Sequence, residues 1–531
     1  MQKVLTAEEM RHVDRLTTER YGIPSLLLME NAAHAAARLI YKKMGGSVEG
    51  RSVLVLCGKG NNGGDGSALA RILWTNGARC TVLLFGTVAE TKGDANVNFD
   101  ACRRLAQTAP PQTLTFAEDA GILPDLTDFD VLVDALLGTG VDRPITGRLS
   151  DVIDGINNTR QRGSTLVVSL DLPSGLASDD AEPIGPCVSA DIVVTFTAPK
   201  PANVLSPAYR SNGELHVANI GSPAELLASS VSELYLATAA DVTGWFEKTE
   251  FSAASYKNKR GHALMIAGSR NYTGAAVLCG DAAIRSGVGL VTLAVPESSR
   301  ESVIARVVPE VMVRGISETE TGSADQKAVE EINAFLKNVD VVAVGSGLSS
   351  KERETRELVA EIVGSRRTPV IIDADGLTAL SPFEINGSDD LPLILTPHEG
   401  EFMRLLGTQD KSVIKDRVAA VREFAVKHHV ILVLKGERGL IGSPDGRVVV
   451  NPTGNSGLGK AGNGDTLTGI ITGFVGQAVQ MKVDMFETVV AAVYLAGMAG
   501  DIAVQKYGKR VMTASDVREC LVDVFERLGG K

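Results

Sequence analysis

Aromatic residues are scarce in this 531-residue chain: two Trp, eight Tyr and fourteen Phe make up 5% of it. So few rings leave little material for an extended base-stacking platform. Positive charge is also in deficit, with 53 Lys and Arg against 64 Asp and Glu, a formal net charge of −11. That balance argues against nucleic acid or an anionic membrane surface as a partner. No run approaches the roughly 20 apolar residues that a membrane span needs. The opening MQKVLTAEEMRHVDRL lacks the apolar core of a signal peptide. The seven histidines form no HxH or HExxH pattern, which removes the usual zinc signatures. Six cysteines, at 57, 80, 102, 187, 279 and 520, show no CxxC spacing and read as reduced core thiols of a cytoplasmic protein.

What is present is ordinary globular material, 44% hydrophobic and 22% charged, in a chain too long for one core. Thr6 with Glu9 forms a capping-box pattern ahead of Met10, Val13 and Leu16 at helical spacing. A second helical stretch, LLLMENAAHAAARLI, follows Pro24. Short β-branched runs then alternate with helical patterns: Val53–Cys57, Cys80–Phe85, Val131–Val133, Leu166–Leu170 and Ile192–Phe196. A second series comprises Ala263–Ala267, Leu290–Val295, Val341–Val344, Val370–Ile372, Leu393–Leu395, Val430–Leu434 and Val448–Val450. Continuous apolar runs of this kind fit parallel strands buried on both faces, so the expected fold is α/β in two domains. Between the two series, the small, polar stretch after Ile220 marks the boundary. The expected division is 1–221, a linker at 222–235, and 236–531.

The densest chemical signal lies from Asn455 to Gly473, NSGLGKAGNGDTLTGIITG. Five glycines fall between Gly454 and Gly464, and the acid Asp465 follows at once, opening a small-residue helix. Glycines let backbone N–H groups turn inward, and a helix start adds positive partial charge, which makes an anion cradle. A carboxylate at the mouth of such a cradle should have a raised pKa and serve as a proton acceptor. The alternative is an Asp that simply caps the helix.

Ligands of open α/β sheets collect beyond the carboxyl ends of the strands. In the first half, Val53–Cys57 runs into GKGNNGGDG (Gly58 to Gly66), a literal GxGxxG. The next strand ends Leu84-Phe85-Gly86, without the acid that a hydride-transferring Rossmann enzyme uses to hold ribose. Asp134 and Asp171 sit at two further strand ends, with Ser174 close behind. With Asn62 they supply oxygen ligands suited to a hard cation, unless the acids only cap turns. In the second half, strand ends carry Gly345 and Gly347, Asp373 and Asp375, His398 flanked by Glu399 and Glu401, and Lys435 to Gly439. Lys435 there suits phosphate contact.

Taken in order, these motifs resemble the bifunctional NAD(P)H-hydrate repair enzymes, in which an NAD(P)H-hydrate epimerase is joined to an ADP-dependent dehydratase. The first domain carries LMENAA, GNNGGDG, DALLGTG and DLPSG; the second carries AGSRNYTGAA, SGVGLV, DADGL, LTPHEGE, LKGERG and GNGDTLTG. The resemblance covers almost the whole chain. It implies an N-terminal Rossmann-like three-layer domain and a C-terminal ribokinase-like domain. It also implies the substrates NADHX and NADPHX, with ADP as co-substrate, and K⁺ and Mg²⁺ as cofactors. A homo-oligomer is expected, since small-residue helices such as AAVYLAGMAGDIA (Ala491 to Ala503) suit packing against another subunit.

By that resemblance, Asn61, Asn62, Gly63, Gly64 and Asp65 lie against the hydrate's phosphates in the epimerase site. Gly138, Thr139, Gly140, Val141, Asp142, Arg143, Pro144 and Asp171 also contact the substrate, while Asn62, Asp134 and Ser174 hold potassium. Asp171 is the first candidate for acid–base work and Asp65 the second. In the dehydratase site Asp465 is the catalytic base, and Ala275, Gly347, His398 and Asp465 contact the hydrate. Lys435, Gly436, Glu437, Arg438, Gly439, Asn463 and Gly464 contact the nucleotide. Some positions depart from the family pattern: KAGNGD replaces the commoner KGGSGD, GSGL replaces GPGL, and HEGE replaces HPGE. None removes a catalytic candidate. A vitamin or sugar kinase with an accessory Rossmann-like domain is the rival enzyme, and a nucleotide-sensing module the rival binder.

Overall fold

Along the strand Ser52–Cys57, Val53, Val55 and Cys57 belong to one buried cluster while Leu54 and Leu56 belong to another. The strands Val131–Ala135, Leu166–Leu170 and Ile192–Phe196 divide their side chains in the same way. A strand with both faces dry must be covered on both, and helices do this. Ser25–Lys43, Asn61–Thr75 and Gly93–Thr108 pack on one face, and Arg148–Arg162 on the other. The result is a three-layer α/β/α sandwich.

The computed structural model describes residues 1–119 and 123–529. The chain divides into two units, Lys3–Ser232 and Met1–Gln2 with Glu233–Lys531. In the first unit the spatial order is Leu114–Glu118, Arg79–Leu84, Ser52–Cys57, Val131–Ala135, Leu166–Leu170, Ile192–Phe196, Glu214–Ala218. Every pairing is parallel. The order reverses direction between Ser52–Cys57 and Val131–Ala135, and that switch opens a crevice beyond their carboxyl ends. The expected capping box closes the first turn of Ala7–Glu19, with Glu9 N–H donating to Thr6 Oγ1 at 3.3 Å and Thr6 N–H to Glu9 Oε2 at 2.9 Å.

The second unit orders its strands Leu234–Leu236, Val448–Val450, Leu440–Gly442, Ile431–Leu434, Leu393–Leu395, Val370–Ile372, Val341–Val344, His262–Ile266, Leu290–Pro296, Met312–Ile316. All neighbours are parallel except the two pairings made by Leu440–Gly442. The switch point falls between His262–Ile266 and Val341–Val344. One face is covered by Ala239–Lys248, Thr273–Arg285, Asn463–Met481 and Met485–Tyr507, with Trp245 stacked on Phe474 at 4.1 Å between ring centroids.

Three expectations need amendment. The stretch 222–235 carries structure: helix Ala224–Ala228 packs Leu226 with Leu5, Met10 and Val13, and Leu234–Leu236 joins the second sheet. Helix Met485–Tyr507 is long and apolar enough to span a membrane by length and composition, although 72% of its apolar window is buried inside the protein. Its small residues Ala491, Ala492, Ala496, Ala499 and Ala503 lie in that same core, so this stripe is not a surface for a second subunit. The six cysteines are all free thiols.

Candidate active sites

At the first switch point the GNNGGDG segment becomes the opening turn of helix Asn61–Thr75, with Gly60 in the capping position and no side-chain cap. The first N–H groups of that helix are therefore left for a ligand. The glycines permit close approach rather than flexibility: a Cβ on Gly63 would lie 1.9 Å from Gly58 O, and one on Gly58 would lie 1.9 Å from Leu136 O. Gly138 passes over Asn62, its Cβ position 3.3 Å from Asn62 Cβ. That brings the segment 138–144 to the helix start; within it Gly140, Asp142, Arg143 and Pro144 are exposed, and Thr139 and Val141 half-buried.

Asn62 and Ser174 both donate to Leu137 O, at 2.9 and 3.2 Å, which brings them to the loop that follows Asp134. Asp134 is buried and accepts from Ser174 N–H at 2.9 Å, from Ser169 Oγ at 2.7 Å and from Ser174 Oγ. Burial pushes its carboxyl upward, against these hydrogen bonds. Asn62 Nδ2 donates to Leu137 O at 2.9 Å, while Asn62 Oδ1 is buried without a hydrogen-bond partner among the described residues. An orphan amide oxygen beside one carboxylate and one hydroxyl is a donor set of low charge, which fits a monovalent hard cation.

Asp171 leaves its strand with φ of 63°, a left-handed turn that re-aims the side chain. Its carboxylate pairs with the buried ammonium of Lys200 and accepts from Thr195 Oγ1 at 3.1 Å. Lys200 also donates to Thr195 Oγ1 at 3.0 Å. Two more acids share this field. Asp65 is buried, and burial, then Asp171 and Asp14, hold its carboxyl well above the usual range while Lys200 opposes. Asp14, on the first helix, is pushed up to about 6, by burial first, with Lys200 opposing and Asp171 reinforcing. Its Oδ1 is buried without a partner among the described residues. Three carboxyl groups share the field of one ammonium, and burial holds two of them, Asp65 and Asp14, toward the protonated form.

Sequence reasoning missed Lys200 and Asp14. Lys200 stands just past the end of Ile192–Phe196 and was open to the strand-end rule. Asp14 sits among helical surface residues and carried no local signal.

At the second switch point, loops from five strand ends converge. Gly268 N–H donates to Ser346 O at 2.8 Å and Ser269 Oγ to Gly347 O at 2.9 Å. Ala275 lies against Gly347, whose φ is 67° and whose Cβ position is 2.7 Å from Ala275 Cβ. Asp373, a strand-end acid to which the sequence assigned no role, is the buried hub. It accepts from Lys435 Nζ at 2.7 Å, Thr396 Oγ1 at 2.8 Å and Thr468 Oγ1 at 2.9 Å. Lys435 is also 3.8 Å from Glu401. The ammonium expected at the nucleotide is thus anchored first to protein carboxylates. Burial would raise the Asp373 carboxyl, but Lys435 and the hydroxyls outweigh it and the net shift is downward.

His398 caps helix Glu399–Leu405, its Nδ1 accepting from Gly400 N–H at 3.0 Å. The acceptor role of Nδ1 puts the ring proton on Nε2. Asp465 stands in the first turn of Asn463–Met481, whose cap is Gly462 at φ 90°. Its carboxyl is pushed up to about 6 by burial and by the charge of Asp373, with Ser346 and Lys435 opposing. Asn463 Oδ1 and Thr466 Oγ1 around it are buried without hydrogen-bond partners among the described residues. Lys435 to Gly439 form the turn between Ile431–Leu434 and Leu440–Gly442, with Gly436 at φ 148° and Arg438 at φ 50°. Glu437 lies in the same turn. Among the described residues, no group of three or more His, Cys, Asp or Glu could hold a metal.

Gly464 is a site glycine of a different kind from Gly63. A Cβ there would meet Lys435 Nζ at 3.7 Å and Asp373 Oδ2 at 3.8 Å, ordinary contacts. If Gly464 borders a bound phosphate, Gly464→Ala should melt at the wild-type temperature yet lose roughly 10²-fold in turnover, by displacing that phosphate. A lowered Tm would assign Gly464 to packing instead.

Comparison with known proteins follows this division. Residues 25–202 match the family described as YjeF-related protein N-terminus, and residues 263–522 the family described as NAD(P)H-hydrate dehydratase. The bifunctional NAD(P)H-hydrate repair enzyme Nnr of Moorella thermoacetica is 38% identical over 528 residues, covering 99% of this chain and 97% of that protein. Its counterpart in Thermofilum pendens is 37% identical, covering 96% and 94%. Among solved structures, the ADP/ATP-dependent NAD(P)H-hydrate dehydratase of Bacillus subtilis, co-crystallised with ATP and Mg²⁺, is 30% identical with a TM-score of 0.48, covering 55% of this chain and 98% of that one.

Proposed function

Since the chain belongs to the family of bifunctional NAD(P)H-hydrate repair enzymes, we propose that it epimerises (R)- and (S)-NAD(P)H hydrate in one unit and dehydrates the S form in the other. We assign epimerisation to residues 1–221 and dehydration, with ADP converted to AMP and phosphate, to residues 236–531. Asp465 is the observation that carries the reading: a carboxyl with a pKa of about 6, set in the first turn of a helix whose N-terminus opens on Gly464.

In the dehydratase site, Asp465 takes the proton from the hydroxyl on ring carbon 6, and that oxygen attacks the β-phosphate of ADP. AMP departs. The carbon–oxygen bond then breaks with its electron pair on the phosphate, the ring nitrogen stabilises the cation, and a proton lost from the adjacent carbon restores the dihydronicotinamide. The backbone N–H at Gly464 holds the moving phosphoryl group, and Lys435, fixed by Asp373, supplies positive charge beside it. Gly347, Ala275 and His398 border the hydrate. Magnesium, carried by phosphate oxygens and water, neutralises phosphate charge when bound.

In the epimerase site, Asp65, held toward its protonated form by burial, gives its proton to the departing hydroxyl, Asp171 takes one from the returning water, and passage of that proton back to Asp65 restores the starting state. The planar iminium between these steps is open on both faces, so either hydrate results. Potassium, held by Asn62, Asp134 and Ser174, supplies fixed positive charge near the substrate phosphates. KCl should raise the Tm of the wild type but not of Asn62→Leu, when compared with tetramethylammonium chloride at equal ionic strength. Equal shifts in both proteins would remove potassium from these residues. We place the activity in the cytoplasm, in keeping with six free thiols.

The test is stoichiometric. With pure (S)-hydrate and Mg²⁺, each dihydronicotinamide recovered should accompany one ADP converted to AMP and phosphate. Accumulation of a stable phosphorylated alcohol would instead identify a kinase.

A further inference from the structure

Arg417 opens the helix Arg417–His428, directly behind the capping carboxylate of Asp416. A cation in a first helical turn opposes the helix dipole. This one is also withdrawn from water, since its Nε is buried and has no hydrogen-bond partner among the described residues. Burial lowers the guanidinium pKa, with Glu399 and Glu437 opposing. Glu399 is itself engaged with Lys411 at 3.7 Å. A partly buried charge with an unsatisfied donor is unfavourable for folding alone.

Its position gives the feature meaning. Arg417 Nη2 lies 3.4 Å from the Cβ position of Gly436, inside the Lys435–Gly439 turn. At the beginning of that turn Lys435 Nζ lies 3.7 Å from the Cβ position of Gly464. Two cations therefore stand along one turn. Lys435 is the nearer to the helix start that receives the transferring phosphate, and Arg417 stands further along. A side chain at Gly436 would fill the approach to the guanidinium.

We propose that Arg417 binds the phosphate of the nucleotide that is not transferred, the one that stays with adenosine. The inference rests on the dehydratase reading above and adds to it the group that recognises a nucleotide by its retained phosphate. A guanidinium suits this role because its planar N–H fork matches two phosphate oxygens at once.

Calorimetric titration of AMP and of adenosine into the wild type, Arg417→Met and Arg417→Lys tests it. AMP should bind about tenfold or more weakly to Arg417→Met, with Arg417→Lys between, while adenosine binds all three alike. The KM for ADP should rise with the AMP dissociation constant. Without ligand, Arg417→Met should melt no lower than the wild type, because it removes a buried Nε donor that has no hydrogen-bond partner among the described residues. Unchanged AMP affinity would overturn the proposal, as would a parallel loss of adenosine affinity, which would mean contact with the base. Should the wild type itself neither bind AMP nor consume ADP, the dehydratase reading would fall, and this one with it.

Discussion

Asp465→Asn should lower dehydratase kcat by about 10² to 10⁴-fold and leave epimerisation of the two hydrates untouched. The amide keeps the shape of the carboxyl and its place in the helix turn but cannot take the substrate proton. The wild-type rate should fall as pH drops below about 6, because burial and the Asp373 charge have raised the carboxyl to that value and it must be ionised to act. The same shift predicts a stability signature of opposite sense. Ionising Asp465 is harder in the folded chain than in the unfolded one, where the value is 3.8. This destabilisation is fully present above about 6 and fades as pH falls toward the unfolded value. Asp465→Asn should therefore melt higher than the wild type at pH above 6, with the gap closing in acid. A variant that is inactive and no more stable would mean the carboxylate is not held under this strain.

Asp171→Asn should abolish epimerisation, again by about 10² to 10⁴-fold, while recovery of (S)-hydrate continues. It should also destabilise the first unit, since Lys200, 2% exposed, loses its counter-ion. Breaking such a buried pair costs about 3–5 kcal/mol. Asp171→Asn combined with Lys200→Met removes both charges. The double variant should regain most of the lost Tm without regaining epimerisation. Restored activity in the double variant would show that Asp171 serves the fold and not the reaction.

Much of this was legible in the sequence because the central strands are dry on both faces. Leu166–Leu170, Ile192–Phe196, Val341–Val344, Val370–Ile372 and Val448–Val450 begin and end where their apolar runs do. Leu114–Glu118, Glu214–Ala218 and Met312–Ile316 were not read as strands. Each lies at a sheet edge, and their mixed residues are half exposed. Leu440–Gly442 is three residues long and runs against its neighbours, too short to carry a pattern. Residues of the sites that sit at strand ends or in glycine-rich turns, such as Asp134, Asp171 and Asp465, could be found from position alone. Those that arrive from elsewhere could not. Asp14 comes from the first helix, and Arg417 from the start of a helix far from either glycine loop in sequence. The link between Lys435 and Asp373, 62 residues apart, appears only once the strands are side by side. His398 is expected beside the hydrate, and its Nδ1 also caps the next helix.

One assay reaches the core of this account: a mixture of both hydrates, with ADP, Mg²⁺ and K⁺, followed by the return of dihydronicotinamide absorbance. The intact protein should restore the whole mixture, Asp171→Asn the S component alone, and Asp465→Asn nothing. If pure (S)-hydrate stays unconverted by the wild type at saturating nucleotide and both cations, the assignment of Asp465 as the base that drives phosphoryl transfer is wrong.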